Sequence, residues 1–419
     1  MVRAAWHQAY TALIARLDDY CAHGHWTFCG LGACVDAVLS LHDAVPVLLA
    51  SDGAAARRLG QMLSTRALSG IGGEIRVDWD AGPEWIDATL PLRTALGGTG
   101  PHAARVLSLL GAPALLALSH RDAEQMACLD SRIRLASGGQ ATPAAAISPQ
   151  GLARPKIYIF EFTACRAIGD VVAPRSSRII VRFSDPALED DAEFEALSIR
   201  LASKAGAGVL SGFSGVGSRL LDATLARARL LGLNWRAAGV PVVHLEMAGF
   251  DTPDLRDRTL AGLRGAFTSL GLSQSEYQAL VPVDAPETAT IVASAERLGI
   301  DRLCIHADAW AMTATRGDPE QERAALMVGC LLASARAAVG HPARPVAIDK
   351  AARFEMPPEE SRQGGWNIVT AAAPYLPRPI TTLGMGDTFM AGCLLVLGQP
   401  HRPAATTYRD ETWPTTANA

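Results

Sequence analysis

The sequence predicts an α/β fold in which a doubly wound, mainly parallel sheet is flanked by helices and carries a smaller β-rich lid. Three observations predict it. Short apolar runs alternate with segments of helical period along most of the chain. Two aromatic and β-branched runs break that rhythm between 156 and 183. Finally, 49% apolar side chains in 419 residues suffice for one large core and a second, smaller one.

Taken in order, residues 1–19 interleave charges and aromatics at helical spacing and lack the uninterrupted apolar core of a signal peptide. Residues 26–31 read as a first buried strand, running into a turn over 32–41 that carries Asp36. A helix follows over 53–68 and a strand over 74–79; after a Gly-Pro turn at 82 and 83 comes the glycine-rich stretch Gly97-Gly98-Thr99-Gly100. Helical period returns over 102–110, then a compact apolar strand over 112–118. The Ala, Gly, Pro and Ser of 136–154 read as a connection, and 156–162 with 177–183 as an antiparallel pair in the lid. From 193 onward strands and helices alternate again, up to a last helix that begins at a Gly-Asp motif and ends at Leu397. Residues 401–419 lack periodicity and are expected to be a disordered tail. On this reading 1–45, 92–150 and 190–400 form the large α/β body, and 46–91 with 151–189 the lid.

Charge and cysteine usage exclude several classes. Lys plus Arg number 38 against 42 Asp plus Glu, a formal charge of -4, so no basic field favours nucleic acid. The eight cysteines stand singly, with no C-x-x-C pair, and fit free thiols in a reducing cytosol. No segment has the roughly 18 to 20 uncharged apolar residues of a membrane span. The expectation is a cytoplasmic protein, monomeric or a small homo-oligomer, that binds small molecules and neither nucleic acid nor membrane.

The chemistry concentrates in Thr381-Thr382-Leu383-Gly384-Met385-Gly386-Asp387-Thr388-Phe389-Met390-Ala391-Gly392. A glycine-rich turn opening into an apolar helix exposes backbone amides that favour an anion, with the helix dipole adding to them. An aspartate among those amides caps the helix and stands where a hydroxyl attacking a phosphoryl group would arrive. Taken alone, the same aspartate fits a plain N-cap. The whole segment, however, resembles the G-A-G-D-T-F-x-A-G signature of ribokinase-like kinases, with Met385 for the usual Ala. That resemblance implies a phosphotransferase with Asp387 as general base, Gly384 and Gly386 in the anion-binding turn, and Thr382 and Met385 beside the nucleotide.

Other segments resemble the ADP-dependent glucokinase and phosphofructokinase branch of that superfamily. His244-Leu245-Glu246 is similar to its H-x-E, and Gly271-Leu272-Ser273-Gln274-Ser275-Glu276 to its G-L-N-x-x-E. The resemblance implies that Glu246 and Glu276 serve Mg²⁺; a solvated strand end and a surface helix residue are the plainer alternatives. Ala173-Pro174-Arg175-Ser176-Ser177-Arg178-Ile179-Ile180 resembles A-x-R-x-N-R-F-I, which would bring Arg178 to the transferring phosphoryl group rather than leave it on the surface. Gly30 to Asp36 resembles G-x-N-x-N-x-D, and Gly97 to His102 resembles G-G-x-G-x-N. Asp36, Gly97, Gly98 and His102 are thereby implied in binding the acceptor.

Gly32, Cys34, His102, Ser177 and Ser273 stand where the branch has Asn. These departures weigh against glucose or fructose 6-phosphate as acceptor and leave a different polyol, sugar phosphate or nucleoside open, so the acceptor is expected to be a sugar, a sugar phosphate or a related small molecule. The donor is expected to be ADP by resemblance, with ATP open. A non-catalytic nucleotide-binding protein is the rival from another class. A dinucleotide enzyme is disfavoured because Gly30-Leu31-Gly32 lacks the third glycine of that fingerprint. His306 and Asp308 follow a strand and fit either the lining of the nucleotide cleft or, as the favoured reading, a satisfied strand-end histidine; Trp310 fits the core equally well.

Overall fold

A computed structural model describes residues 2–169, 171–184, 187–281 and 286–400. The expected tail over 401–419 lies outside them. Two sheets organise the described chain. The larger has eleven strands, in the order Ser361–Gln363, Trp366–Ala372, Trp310–Thr315, Arg302–His306, Ser269–Ser273, Val242–Glu246, Ala205–Leu210, Trp26–Cys29, Ala114–Leu116, Arg134–Ser137 and Gln140–Pro143. The strands from Arg302–His306 through Arg134–Ser137 are mutually parallel. Antiparallel strands finish both edges.

The central strands are apolar on both faces because helices cover both sides. Ala205–Leu210, for example, is buried at every position. From Trp26–Cys29 the chain builds the sheet outward in one direction, and from Ala205–Leu210 in the other. Doubly wound sheets bind ligands where the strand order reverses in this way, outside the carboxyl ends of the strands. Here those ends are Gly32 and Gly212, packed so closely that a Cβ on Gly32 would stand 3.0 Å from the Gly212 Cα.

The second sheet has five strands, in the order Gly73–Arg76, Ser177–Arg182, Ile157–Phe162, Cys34–Ser40 and Arg93–Gly97. The expected pair over 156–162 and 177–183 is antiparallel, with Arg178 opposite Glu161. Helices Leu41–Ala50 and Ala54–Leu68 cover one face with a core that includes Leu39, Leu59, Phe160 and Val181. Because strand side chains alternate between faces, Cys34, Asp36, Ile157, Ile159, Arg178, Ile180 and Arg182 share the other face, and all of them line one cleft.

The structure corrects four local expectations. Asp36 sits in a strand, not a turn: Cys34–Ser40 pairs with two neighbours in the small sheet. That strand and Arg93–Gly97 therefore belong to the lid sheet, whereas the expected division put 34–40 and 93–97 with the large body. The connection over 136–154 begins with a hairpin, Arg134–Ser137 with Gln140–Pro143, turned by Gly138 and Gly139 at positive φ. The strand expected over 74–79 is Gly73–Arg76; beyond it Trp79 leaves the ladder to pack on Trp85 and Phe183.

Candidate active site

The cleft lies between the two sheets at the strand reversal, and both sheets contribute to its wall. At its centre stands the start of the last helix, Met385–Leu397. Gly384 is the N-cap at φ 65° and ψ 20°, a left-handed conformation that glycine adopts without penalty. The first amides of a helix have no partner within it, so those of Met385, Gly386 and Asp387 face the cleft that these residues line. The Asp387 carboxyl lines it too. Burial raises its pKa, opposed by a hydrogen bond from Thr99 and by the charges of Arg336 and Arg178. Next to the turn, Glu161 of the small sheet accepts hydrogen bonds from the Thr381 hydroxyl (2.8 Å) and the Thr382 amide (3.1 Å).

On the small-sheet side, Asp36 is 4% exposed, and burial pushes its carboxyl up to about 7. The Cys34 thiol donates to it at 3.5 Å. Gly97 lies directly behind the carboxylate, where any Cβ would collide with it. Gly98, at φ 93°, packs on the Gly32 carbonyl and turns the chain into the helix Thr99–Leu110. His102, in the first turn of that helix, is buried, and neither ring nitrogen has a hydrogen-bond partner. Burial, and then the charge of Arg336, keep it neutral. Arg178 also has a buried, unpartnered Nε. Close to Asp36, Arg182 is ion-paired with Glu74 from the edge strand, and both line the cleft.

The opposite wall carries Glu246, with His244 behind it. Arg302 is paired with the buried Glu322 and donates to the Ser269 hydroxyl at 3.2 Å. The Ser269 proton is thereby directed to His244 Nδ1 (2.8 Å), which leaves Nε2–H to donate to Glu246 at 2.8 Å. Burial pushes the Glu246 carboxyl up, but the bonds from His244 and His306 outweigh it and hold the group at about 2. His306 reaches Glu246 at 3.6 Å and its ring packs on Phe389 of the motif helix. Glu276 closes a capping box, accepting the Ser273 amide at 2.7 Å.

Among the described residues no group of three or more His, Cys, Asp and Glu side chains is arranged to hold a metal ion. With Glu246 committed to two imidazoles and Glu276 to a backbone amide, the donor set suits a hydrated cation held through its waters, as Mg²⁺ on a nucleotide prefers. No helix among the described residues is long and apolar enough to cross a membrane.

Of the residues singled out in the sequence, Asp36, Gly98, His102, Arg178, Glu246, Glu276, Thr382, Gly384, Met385, Gly386 and Asp387 line this one cleft, and Gly97 stands behind Asp36. His306, Asp308 and Trp310 line it as well. Thr99, Glu161, Glu74, Arg182 and Arg336 were missed. Thr99 lay within a quoted glycine-rich motif and Glu74, Glu161 and Arg182 within expected strands, but nothing local marks these three or Arg336, and all four meet the site only through long-range packing.

A doubly wound sheet with a strand-built lid and a glycine-rich helix over the strand reversal is the arrangement that the sequence resemblance implied. Residues 26–396 match the conserved region of the ADP-specific phosphofructokinase/glucokinase family, and the chain belongs to that family. It is 24% identical over 277 residues to the ADP-specific phosphofructokinase of Thermococcus zilligii, a stretch covering 56% of this chain and 60% of that relative. Its fold is similar to that of an ADP-dependent kinase solved with fructose-6-phosphate and ADPβS (TM-score 0.75, 16% identity, 94% of this chain and 98% of that one). It is also similar to a hypothetical ADP-dependent phosphofructokinase from Pyrococcus horikoshii (TM-score 0.68, 18% identity, 89% and 98%).

Proposed function

We propose that the protein transfers the terminal phosphoryl group of ADP to a sugar hydroxyl, releasing AMP. The observation that carries this reading is the Asp387 carboxyl, standing among open amides at a helix N-terminus and facing Asp36 across a cleft roofed by a sheet. Family membership supports ADP as donor. In this reading the amides of Met385 to Asp387 bind the terminal phosphate, and Asp387 removes the acceptor proton. Its raised pKa brings it closer to neutrality, where a base accepts a proton more readily. Arg178 faces the same space and offsets charge spread over the phosphoryl oxygens. Glu246 and Glu276 would hold Mg²⁺ through its waters, and the ion supplies neutralisation of the donor oxygens.

Asp36 and His102 hold the acceptor: an ionised Asp36 accepts from sugar hydroxyls, and a neutral His102 offers one donor and one acceptor. Burial of the cleft under the lid keeps water from competing with the sugar. Between free and phosphorylated sugars, the ion pair of Arg182 with Glu74 favours the free sugar, since the guanidinium nearest Asp36 is already neutralised. The test is a turnover screen of hexoses and hexose phosphates with ADP and with ATP, using Asp387→Asn as control. The parent chain should use ADP, and the variant should lose about two to four orders of magnitude in kcat. An Asp387→Asn enzyme working at the parent rate would remove the assignment of the base.

A further inference from the structure

We propose that Arg336 is a buried counter-cation for the terminal phosphate of a nucleoside diphosphate, acting from behind the Gly384 turn as a positioning residue; this rests on the kinase reading above. Arg336 lies in the last turn of the helix Pro319–Val339 and is 3% exposed. Its Nη1 donates to the Thr388 hydroxyl at 3.0 Å, and that hydroxyl donates to the Gly384 carbonyl at 2.8 Å. A Cβ on Gly384 would stand 2.5 Å from Nη2, so the guanidinium fills the space directly beneath the turn. Its Nε is buried without a partner, and no carboxylate among the described residues forms an ion pair with it.

A buried guanidinium without a paired carboxylate is costly unless a charge answers it. Burial pulls its pKa down to about 10, with the charge of Asp387 opposing, so the group stays cationic at neutral pH. The other charges acting on it are Arg105 and Arg178, both repulsive, and Glu161, attractive. The guanidinium thus lies buried and without an ion-pair partner directly beneath the turn where the helix presents its first amides. A dianionic phosphate in the turn would give it a counter-charge. The hydrogen bond to Thr388 explains how the cation also fixes the turn: it orients the hydroxyl that closes Thr388 onto Gly384.

AMP lacks the phosphate that would occupy this turn, so the two nucleotides separate a local role from a general one. Calorimetric titration of the full chain with ADP and with AMP is the measurement, on the parent, Arg336→Met and Arg336→Lys. Arg336→Met should weaken ADP about tenfold while AMP stays within about twofold, and Arg336→Lys should keep most of the preference for ADP. Equal loss of both nucleotides, no change in either, or a Lys variant as impaired as the Met variant would overturn the inference; should Arg336→Met fail to fold, the Lys variant decides alone. A parent chain that bound neither nucleotide would remove the kinase reading and this inference with it, whereas a parent that prefers ADP, beside a Met variant with the same preference, would remove the inference only.

Discussion

Asp36 and Asp387 are both carboxyls that burial makes harder to ionise, but their surroundings differ. Asp387 has a Thr99 hydroxyl and two guanidinium charges working against burial, whereas Asp36 has chiefly the Cys34 thiol and the already paired Arg182. With a folded-state value near 7 against 3.8, Asp36 keeps a proton in the folded chain that the unfolded chain gives up. Its contribution to stability is therefore fully present below about pH 4 and is lost as pH rises through 7. That difference corresponds to about 4 kcal/mol. Asp36→Asn should flatten this slope, so that denaturant titrations at pH 4 and pH 8 differ less in the variant than in the parent. Acceptor KM should rise as pH falls below 7, because the protonated carboxyl accepts fewer hydrogen bonds. Glu74→Gln tests the neighbouring pair: with Arg182 freed, kcat/KM for a hexose phosphate relative to the hexose should rise by about tenfold or more. An unchanged ratio would show that the pair does not set the preference.

Two elements carry positional demands that single substitutions expose. Gly384→Ala forces a side chain into a left-handed residue and into the Arg336 guanidinium; a melting point several degrees lower and loss of ADP binding are expected. Ser273→Ala removes the hydroxyl that caps the short helix Gln274–Leu280 by accepting the Glu276 amide, and should cost about 1 kcal/mol in a denaturant titration, while the Glu276 carboxylate keeps its bond from the backbone amide of residue 273. Legibility also divides at this scale. The motif helix was readable because its glycines, aspartate and apolar face are consecutive. The strand holding Asp36 was misread because Val35, Ala37 and Leu39 pack inward while Val38 is apolar on the cleft face, which hides the two-residue period. The hairpin over 134–143 was hidden by small residues with little strand preference.

Across the whole molecule, the small sheet meets the large body through few charged contacts. Arg76 approaches Asp251 at 3.1 Å on one side of the cleft, and Arg175 approaches Asp308 at 3.8 Å on the other. These side chains are 36% to 61% exposed, so each pair contributes on the order of 0 to 1 kcal/mol and is screened by salt. Replacing Asp251 and Asp308 together by Asn should raise the acceptor KM by less than about tenfold, with the difference from the parent vanishing in molar salt. Parent and variant with equal KM at low salt would show that the pairs play no part in closing the cleft. The alternation of strands and helices made the doubly wound body legible. The ownership of the first lid strand was not, because the chain passes between the two sheets within the few residues from Cys29 to Cys34.

The Gly384 turn belongs to the last helix of the described chain, which packs on the helices Thr99–Leu110 and Pro319–Val339 and follows every strand of both sheets in the sequence. On the kinase reading, the element that would grip a phosphate is therefore the last one encoded, and a chain cut ahead of Gly384 would keep both sheets but have nothing to hold the donor.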